Sequence, residues 1–366
     1  MNFALATSED EPQLRALLRS QPVPGWVRLC YEREPDFFHA AATQGGNQTM
    51  LAWQDGEIVG LGCRSWRELY FNGRAAKIGY LSGLRLREPV RNRTALARGY
   101  SFLKQLHNAA KLPGYLSTVI ESNTHAIRLL TSRRAGLPQY HDLGRFITFV
   151  LPIGGKRTAN GRSNEIRIET ATREDFPEII AFLNDQGSRR QFFPVLHESD
   201  FAGHFLWRGL GPEDFLVARK ADRSIAGVLG CWNQSGFKQI RIAGYTPVIG
   251  CTRRLCNAGL RLIGWPQLPG PGQALKLLNL ALITIRDDGA ETFAALLEAA
   301  GEKQRAGGFD YVCCGFHERN PLLATMKGFA ALRYTSRLFW VCWDDGEDFI
   351  RSLDTGRVPH LEVATL

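Results

Sequence analysis

No stretch of this chain stays apolar long enough to cross a bilayer. The longest apolar run, Leu275 to Ile285, is interrupted by Lys276 and Asn279 and reads as a buried strand. No membrane partner is expected. There is also no Cys-x-x-Cys pair among the eight cysteines, at 30, 63, 231, 251, 256, 313, 314 and 342. Cys251 and Cys256 are separated by four residues, with no second Cys or His pair to complete a zinc site, so no metal is expected. Cys63, Cys231, Cys313 and Cys314 lie in apolar, strand-like runs, the pattern of buried free thiols in a reducing cytoplasm. Met1-Asn2-Phe3-Ala4-Leu5, followed by Ser8-Glu9-Asp10-Glu11, has neither a basic start nor a long apolar stretch, so no signal peptide is expected.

What is present is the composition of a globular protein. The 366 residues are 44% apolar and 22% charged, too many for one ordinary core and enough for two domains. The net charge of +9 is unevenly placed. Residues 1–160 hold 21 Lys and Arg against 12 Asp and Glu, while residues 161–366 hold 24 of each. Arg85, Arg87, Arg91, Arg93 and Arg98 cluster in the basic half, where they could serve a phosphate-rich ligand, nucleic acid or only a solvated face.

A repeat runs through the chain in consistent order. Ala6-Thr7-Ser8-Glu9-Asp10 matches Ala171-Thr172-Arg173-Glu174-Asp175, and Leu14, Leu17 and Leu18 match Ile179, Phe182 and Leu183. Gly60-Leu61-Gly62-Cys63 parallels Gly227-Val228-Leu229-Gly230-Cys231, and Ile78-Gly79-Tyr80 parallels Ala243-Gly244-Tyr245. Arg145 to Val150 parallels Arg337 to Cys342. The order of the matches argues for duplication. Their growing offset places extra residues in the second copy at Pro247 to Gly272, where Pro266, Pro269 and Pro271 mark a loop. The expected division is a first domain over 1–153, a Gly-rich polar linker over 154–164, a second domain over 165–345 and a tail over 346–366. Within the first copy the pattern predicts a strand near 3–6, helices over 10–20 and 25–43, and strands over 49–54, 57–69 and 74–86. A helix over 94–111, a strand over 116–120, a helix over 123–134 and strands over 139–143 and 145–152 follow. The second copy follows the same order, with strands at Phe237 to Tyr245 and Leu275 to Ile285 and a helix from Glu291 to Arg305.

The segment richest in chemistry is Glu121-Ser122-Asn123-Thr124-His125-Ala126-Ile127-Arg128-Leu129-Leu130. Asn123 stands where a strand yields to a helix, a capping position, and Ala126 and Leu129 follow at three-residue steps. This Asn-x-x-Ala-x-x-Leu pattern resembles the acyl-CoA-binding end of the GCN5-related N-acetyltransferase superfamily. Glu318-Arg319-Asn320, after the strand Tyr311 to Gly315, echoes it. The resemblance implies an α+β chain of two tandem acetyltransferase folds, each a mixed, mostly antiparallel sheet flanked by helices. It implies that acetyl-CoA or another acyl-CoA lies between two splayed strands, its pantetheine arm on strand backbone and its pyrophosphate at the next helix N-terminus. Carried onto this chain, those positions are Leu84 and Leu86, through their backbone, then Arg91, Asn92, Arg93, Thr94, Ala95, Leu96 and Asn123. Thr94 and Leu96 occupy places where the family has glycines, and Leu130 stands where it commonly has a tyrosine. In the second copy Asp287, Asp288 and Glu291 would repel a phosphate, so the cofactor is expected only in the first.

The same resemblance implies direct attack of an amine on the thioester, with a base taking the amine proton. Candidates are Glu121 and Glu68 as bases and Tyr80 as acid. The reading is therefore an acyl-CoA-dependent N-acyltransferase, most simply an acetyltransferase, acting on a small-molecule or peptide amine. Transfer of aminoacyl or long acyl groups is a related option. The alternative is an acyl-CoA-binding or sensing protein on the same fold. Nucleic-acid binding ranks last, because no aromatics interleave the arginine cluster. The sequence leaves the oligomeric state open.

Overall fold

The computed structural model describes every residue except 24, 88–92, 111, 135, 155–165 and 204–205; the side chain of Arg93 is also outside the description. The strands are β1 (Asn2–Leu5), β2 (Val27–Glu32), β3 (Gly46–Gln54), β4 (Glu57–Phe71), β5 (Arg74–Leu86), β6 (Tyr115–Ile120) and β7 (Gln139–Pro152), then β8 (Ile166–Thr170), β9 (Phe215–Lys220), β10 (Ile225–Trp232), β11 (Gln239–Tyr245), β12 (Leu277–Ile285), β13 (Tyr311–His317) and β14 (Leu332–Cys342). The helices are α1 (Glu11–Ser20), α2 (Phe37–Ala42), α3 (Arg93–Ala110), α4 (Thr124–Leu130), α5 (Phe176–Gly187), α6 (Ser199–Ala202), α7 (Pro247–Leu262), α8 (Ala290–Ala306), α9 (Leu323–Met326) and α10 (Glu347–Arg351).

Twelve strands form one sheet in the order β1-β3-β4-β5-β6-β14-β7-β13-β12-β10-β9-β8, and β2 and β11 pair apart from it. The two parallel contacts, β5 with β6 and β12 with β13, are symmetric in this order; the other neighbours in the sheet are antiparallel. The final strands are exchanged. β14 inserts beside β6, and β7 lies beside β13. They meet each other with Arg145 opposite Arg337, the two residues aligned by the repeat. An antiparallel pair whose equivalent residues face one another has a local two-fold axis, and here that axis relates the halves.

Strand alternation sends successive side chains to opposite faces, and helices cover both. Leu14, Leu17 and Leu18 of α1 and Phe37 of α2 pack on Leu51, Ile58 and Leu61. On the other face Leu96, Tyr100 and Leu103 of α3 and Leu130 of α4 pack on Leu81, Tyr115 and Phe339. In the second half α5 supplies Ile179 and Leu183 to one face and α8 supplies Phe293 and Leu297 to the other. Each such buried side chain contributes roughly 1.5–3 kcal/mol from removal of apolar surface.

Four expectations are corrected. The helix over 25–43 is a strand, β2, followed by the short α2; a proline at 35 keeps Glu34 out of helical conformation, and β2 finds a partner in β11. The match of Ile78-Gly79-Tyr80 to Ala243-Gly244-Tyr245 is not structural equivalence. β11 pairs with β2, and the counterpart of β5 is β12: both run beside a parallel strand, and each pairs with the equivalent strand of its half, Leu86 opposite Gly60 and Ile285 opposite Gly227. The inserted loop is largely helix, α7, with the prolines following it. The strands over 139–143 and 145–152 are one, continuous through Gly144 at φ 105°. The Asp55-Gly56 hairpin turn has both residues at positive φ, as a two-residue turn of this handedness requires.

Candidate functional site

β5 and β6 pair at Gly79–Tyr115, Tyr80–Leu116 and Leu81–Ser117, and then part. β5 remains laddered to β4 as far as Leu86, and β6 to β14 as far as Ile120. The divergence has a local cause. Gly83, at φ 67°, places an extra residue in β5, and the register with β4 slips between Leu61 and Cys63. At the apex the Ser117 hydroxyl donates to the Leu81 carbonyl at 3.1 Å, and the hydroxyls of Tyr80 and Thr118 lie 2.8 Å apart. Beyond it, the Arg87 N–H donates to the Val59 carbonyl at 2.8 Å. Alternate backbone groups of this stretch thus face β4, and the intervening ones, at Leu84 and Leu86, are turned from it.

The expected donor residues are placed as follows. Leu84 is exposed, and Leu86 packs over Gly60. Asn123 caps α4, its side chain accepting from the Ala126 N–H at 3.2 Å. Thr94 is exposed in the first turn of α3, whereas the side chains of Ala95 and Leu96 are buried. Arg91, Asn92 and the Arg93 side chain lie outside the described residues. Other members of the arginine cluster disperse: Arg85 donates to the Gln21 carbonyl at 2.7 Å, Arg87 to Glu57 at 2.6 Å, and Arg98 to the Met1 carbonyl.

The proposed bases do not converge. Glu121 accepts from Arg145 Nε at 2.8 Å and has Arg337 at 3.8 Å, which occupies its carboxylate. Glu68 is exposed, with His197 Nε2 at 3.7 Å. Burial pushes the Tyr80 phenol up to about 12 despite the Thr118 contact, so Tyr80 is neutral at physiological pH.

Glu68 borders a cleft of about 450 Å³ at the seam of the halves, walled by Trp66, Arg67, His197, Trp207 and Pro194. The cleft continues past Trp66 and Arg67 into a narrow crevice reaching Ser65, Tyr80 and Leu116. The crevice, and not the cleft itself, touches β5 and β6, at Gly79, Tyr80 and Leu116, where the two strands are still paired. Arg67 Nη2 donates to the Thr365 hydroxyl at 3.2 Å, its guanidinium stands 5.7 Å from the Trp207 ring centroid, and burial lowers its pKa to about 10. Its Nη1 is buried without a hydrogen-bond partner among the described residues. Sequence reading missed Arg67 and His197, because they converge from β4 and from a loop of the other half.

The second half has a parallel gap. β12 and β13 pair over Leu277–Asn279 and Tyr311–Cys313 and then part, with Leu282 at φ 54° where Gly83 stands in β5. The chain fills this gap itself. The Leu282 N–H donates to Glu362 at 2.8 Å, Val363 packs near Gly315, and Glu362, Ala364 and Thr365 are buried. Asp288, at the would-be phosphate end, is paired with Arg190. Elsewhere, His141, Cys342 and Glu347 could hold a metal, but His141 is hydrogen-bonded to Glu347 at 2.9 Å and burial pushes the Cys342 thiol up to about 12.

Among solved structures, the chain is similar to Saccharomyces cerevisiae N-myristoyltransferase with bound myristoyl-CoA, at TM-score 0.57 and 11% identity over 93% of this chain and 78% of that one. It is also similar to a GCN5-related N-acetyltransferase from Sphaerobacter thermophilus, at TM-score 0.52 and 13% identity, over 80% of this chain and 79% of that one. A probable N-acyltransferase from Enterococcus faecalis matches at TM-score 0.51 and 9% identity, over 95% and 74%. No protein-family model matches the chain, and no curated protein does. The fold is the tandem acetyltransferase fold expected from the sequence.

Proposed function

We propose that the protein is an acyl-CoA-dependent N-acyltransferase whose donor lies in the gap between β5 and β6 and whose amine acceptor enters through the cleft at the seam. The observation that carries this reading is the parting of the two strands after three paired residues, opened by the extra residue at Gly83. A pantetheine arm needs backbone partners at a strand edge, and in this gap the backbone of Leu84 is turned from β4, near the capped start of α4. The second gap is filled by the chain's own tail, which leaves the first for the donor. Acetyl-CoA is the proposed donor, in a cytoplasmic setting suited to eight free cysteines of which two are exposed.

The chemistry asked of the residues is modest. Holding amine and thioester in contact removes most of the entropic barrier. An amine approaching along the cleft passes Glu68, which shares the wall with Asp200 and is the proposed proton acceptor, the Asp200 carboxylate already accepting from the His197 N–H. Tyr80, held protonated by burial, is suited to donate a hydrogen bond to a departing thiolate rather than to take the amine proton.

The test is acetyl-CoA binding by calorimetry together with release of free CoA thiol on addition of amines. Wild type should bind and, with a competent amine, release thiol. Gly83→Val forces a branched residue to positive φ and should weaken binding on the order of tenfold, for about 1–3 kcal/mol of strain. Absence of binding by the wild type to acetyl-CoA and to longer acyl-CoAs would end the proposal. Binding without thiol release across a panel of amines would leave the sensing alternative in its place.

A further inference from the structure

The insertion that carries α7 has a surface unlike the rest of the molecule. α7 is a 16-residue helix whose half-buried residues, Ile249, Arg253, Asn257 and Leu260, face the protein. Arg253 donates to the Leu268 carbonyl at 3.1 Å, and the Asn257 side chain both donates to that carbonyl and accepts from the Leu268 N–H. The opposite side faces solvent, and it is the apolar one. Val248, Leu255 and Leu262 recur every seven residues, almost two full turns, on one line about 21 Å long, and are 74%, 77% and 89% exposed. Ile263 and Cys251, both exposed, lie to either side of the line. The hydroxyl of Thr252 is bonded back to the Val248 carbonyl at 2.8 Å. Trp26, 80% exposed, stands at the start of the helix, its backbone carbonyl accepting from the Thr246 N–H at 3.0 Å.

The charge beside this stripe has one sign. No Asp or Glu occurs between Asp222 and Asp287. Arg254 and Arg261, each one residue before a stripe leucine, are exposed about a quarter-turn round the helix. An apolar helix face buried by nothing among the described residues costs free energy in water and marks an interaction site. Three features identify the occupant: the stripe is a single convex line with no hydrogen-bonding group free along it, it is flanked only by arginine, and it has tryptophan at its end. Helices of this character lie in the plane of a bilayer, leucines among the acyl chains and guanidinium groups among anionic headgroups.

We infer that α7, with Trp26, is a docking surface for an anionic lipid bilayer, on which the protein lies without crossing it. The inference does not depend on the acyl-transfer reading, since it concerns another face and requires no donor.

The test is cosedimentation of the full chain with phosphatidylglycerol-containing vesicles and with vesicles of phosphatidylcholine alone. Wild type should pellet with the former, and less so in high salt. Leu255→Glu/Leu262→Glu should lose at least about tenfold in partitioning. Arg254→Glu/Arg261→Glu should lose about tenfold or more on the anionic vesicles and little on the neutral ones. All four residues are exposed, so the melting temperature should not move in either variant. Wild type that stays in the supernatant would overturn the inference, as would variants that pellet as wild type does. It would also be overturned by a wild-type dimer that the leucine variant converts to monomer, since a second copy would then cover the stripe.

Discussion

Arg64 is 1% exposed, and none of its guanidinium nitrogens has a hydrogen-bond partner among the described residues. Its surroundings are the rings of Trp66 and Tyr115, whose centroids lie 5.2 and 5.7 Å away, and burial depresses its pKa while Tyr115 opposes the shift. Two cation–π contacts return about 0.5–2 kcal/mol each, less than the several kcal/mol lost in desolvating an unpaired cation. Arg64→Met should therefore raise stability by about 1 kcal/mol, read as a higher urea midpoint; a lower midpoint would mean that the rings outweigh the lost water. His317 makes a pH-dependent case. Nε2 donates to the Leu143 carbonyl at 2.8 Å and Nδ1 accepts from the Arg319 N–H at 3.2 Å, so the native fold suits the neutral ring. Burial lowers its pKa below the usual 6.5. On acidification the unfolded chain takes the proton first, so this stability, complete above pH 6.5, declines as pH falls toward the lower native value. Midpoints at pH 8 and pH 5 should differ less in His317→Gln than in wild type, and equal differences would exclude the effect. At this scale the sequence showed what is local. Asn123 was legible as a cap because the group it bonds is three residues away. Arg67 was not, because the Thr365 hydroxyl it bonds is 298 residues away.

The elements carry the opening of the gap, and one glycine sets its apex. A Cβ on Gly79 would lie 2.1 Å from Cδ1 of Tyr115, which is itself fully buried and hydrogen-bonded to His107 at 3.1 Å. Gly79→Ala must move either the ring or the strand, so a loss at or above about 1–3 kcal/mol is expected, with a wider β5/β6 separation in a crystal structure. A variant as stable as wild type would show that the ring yields. Asn123→Ala should cost less, about 1 kcal/mol for a lost cap. The strands on either side of the gap were legible because β4, β5 and β6 are runs bounded by recognisable turns, Asp55-Gly56 and Asn72-Gly73 among them, both with positive φ. β2 was not, since its partner β11 lies more than 200 residues on. α7 was hidden by the prolines that follow it, and its apolar stripe has the same period as a stripe facing a core. Periodicity locates a helix face and leaves open whether protein or solvent lies against it.

The whole molecule is held by the strand exchange. A reading of the chain as consecutive copies puts the last strand of each copy in its own sheet; the structure places β7 beside β13 and β14 beside β6. Period-two alternation says that a segment is a strand and nothing about its neighbour, so the exchange left no mark in the sequence. The duplication did, through the match of Arg145 to Arg337 that turns out to be the register of the central pair. The consequence is mechanical. A fragment ending at residue 153 would carry β7 with neither β13 nor β14 beside it, and would leave the β14-facing edge of β6 open across the face where Tyr115 and Leu116 are buried. Unpaired edges and an uncovered core oppose independent folding. The intact chain should therefore unfold in one transition, with calorimetric and van't Hoff enthalpies equal. Fragments 1–153 and 154–366, made separately, should each lack the dispersed amide spectrum of a packed protein and should regain it when mixed, as β7 and β14 cross over and pair. A well-dispersed spectrum from the first fragment alone would show that its half folds with its own last strand. The exchange would then be an arrangement adopted by already folded halves rather than a condition for their folding.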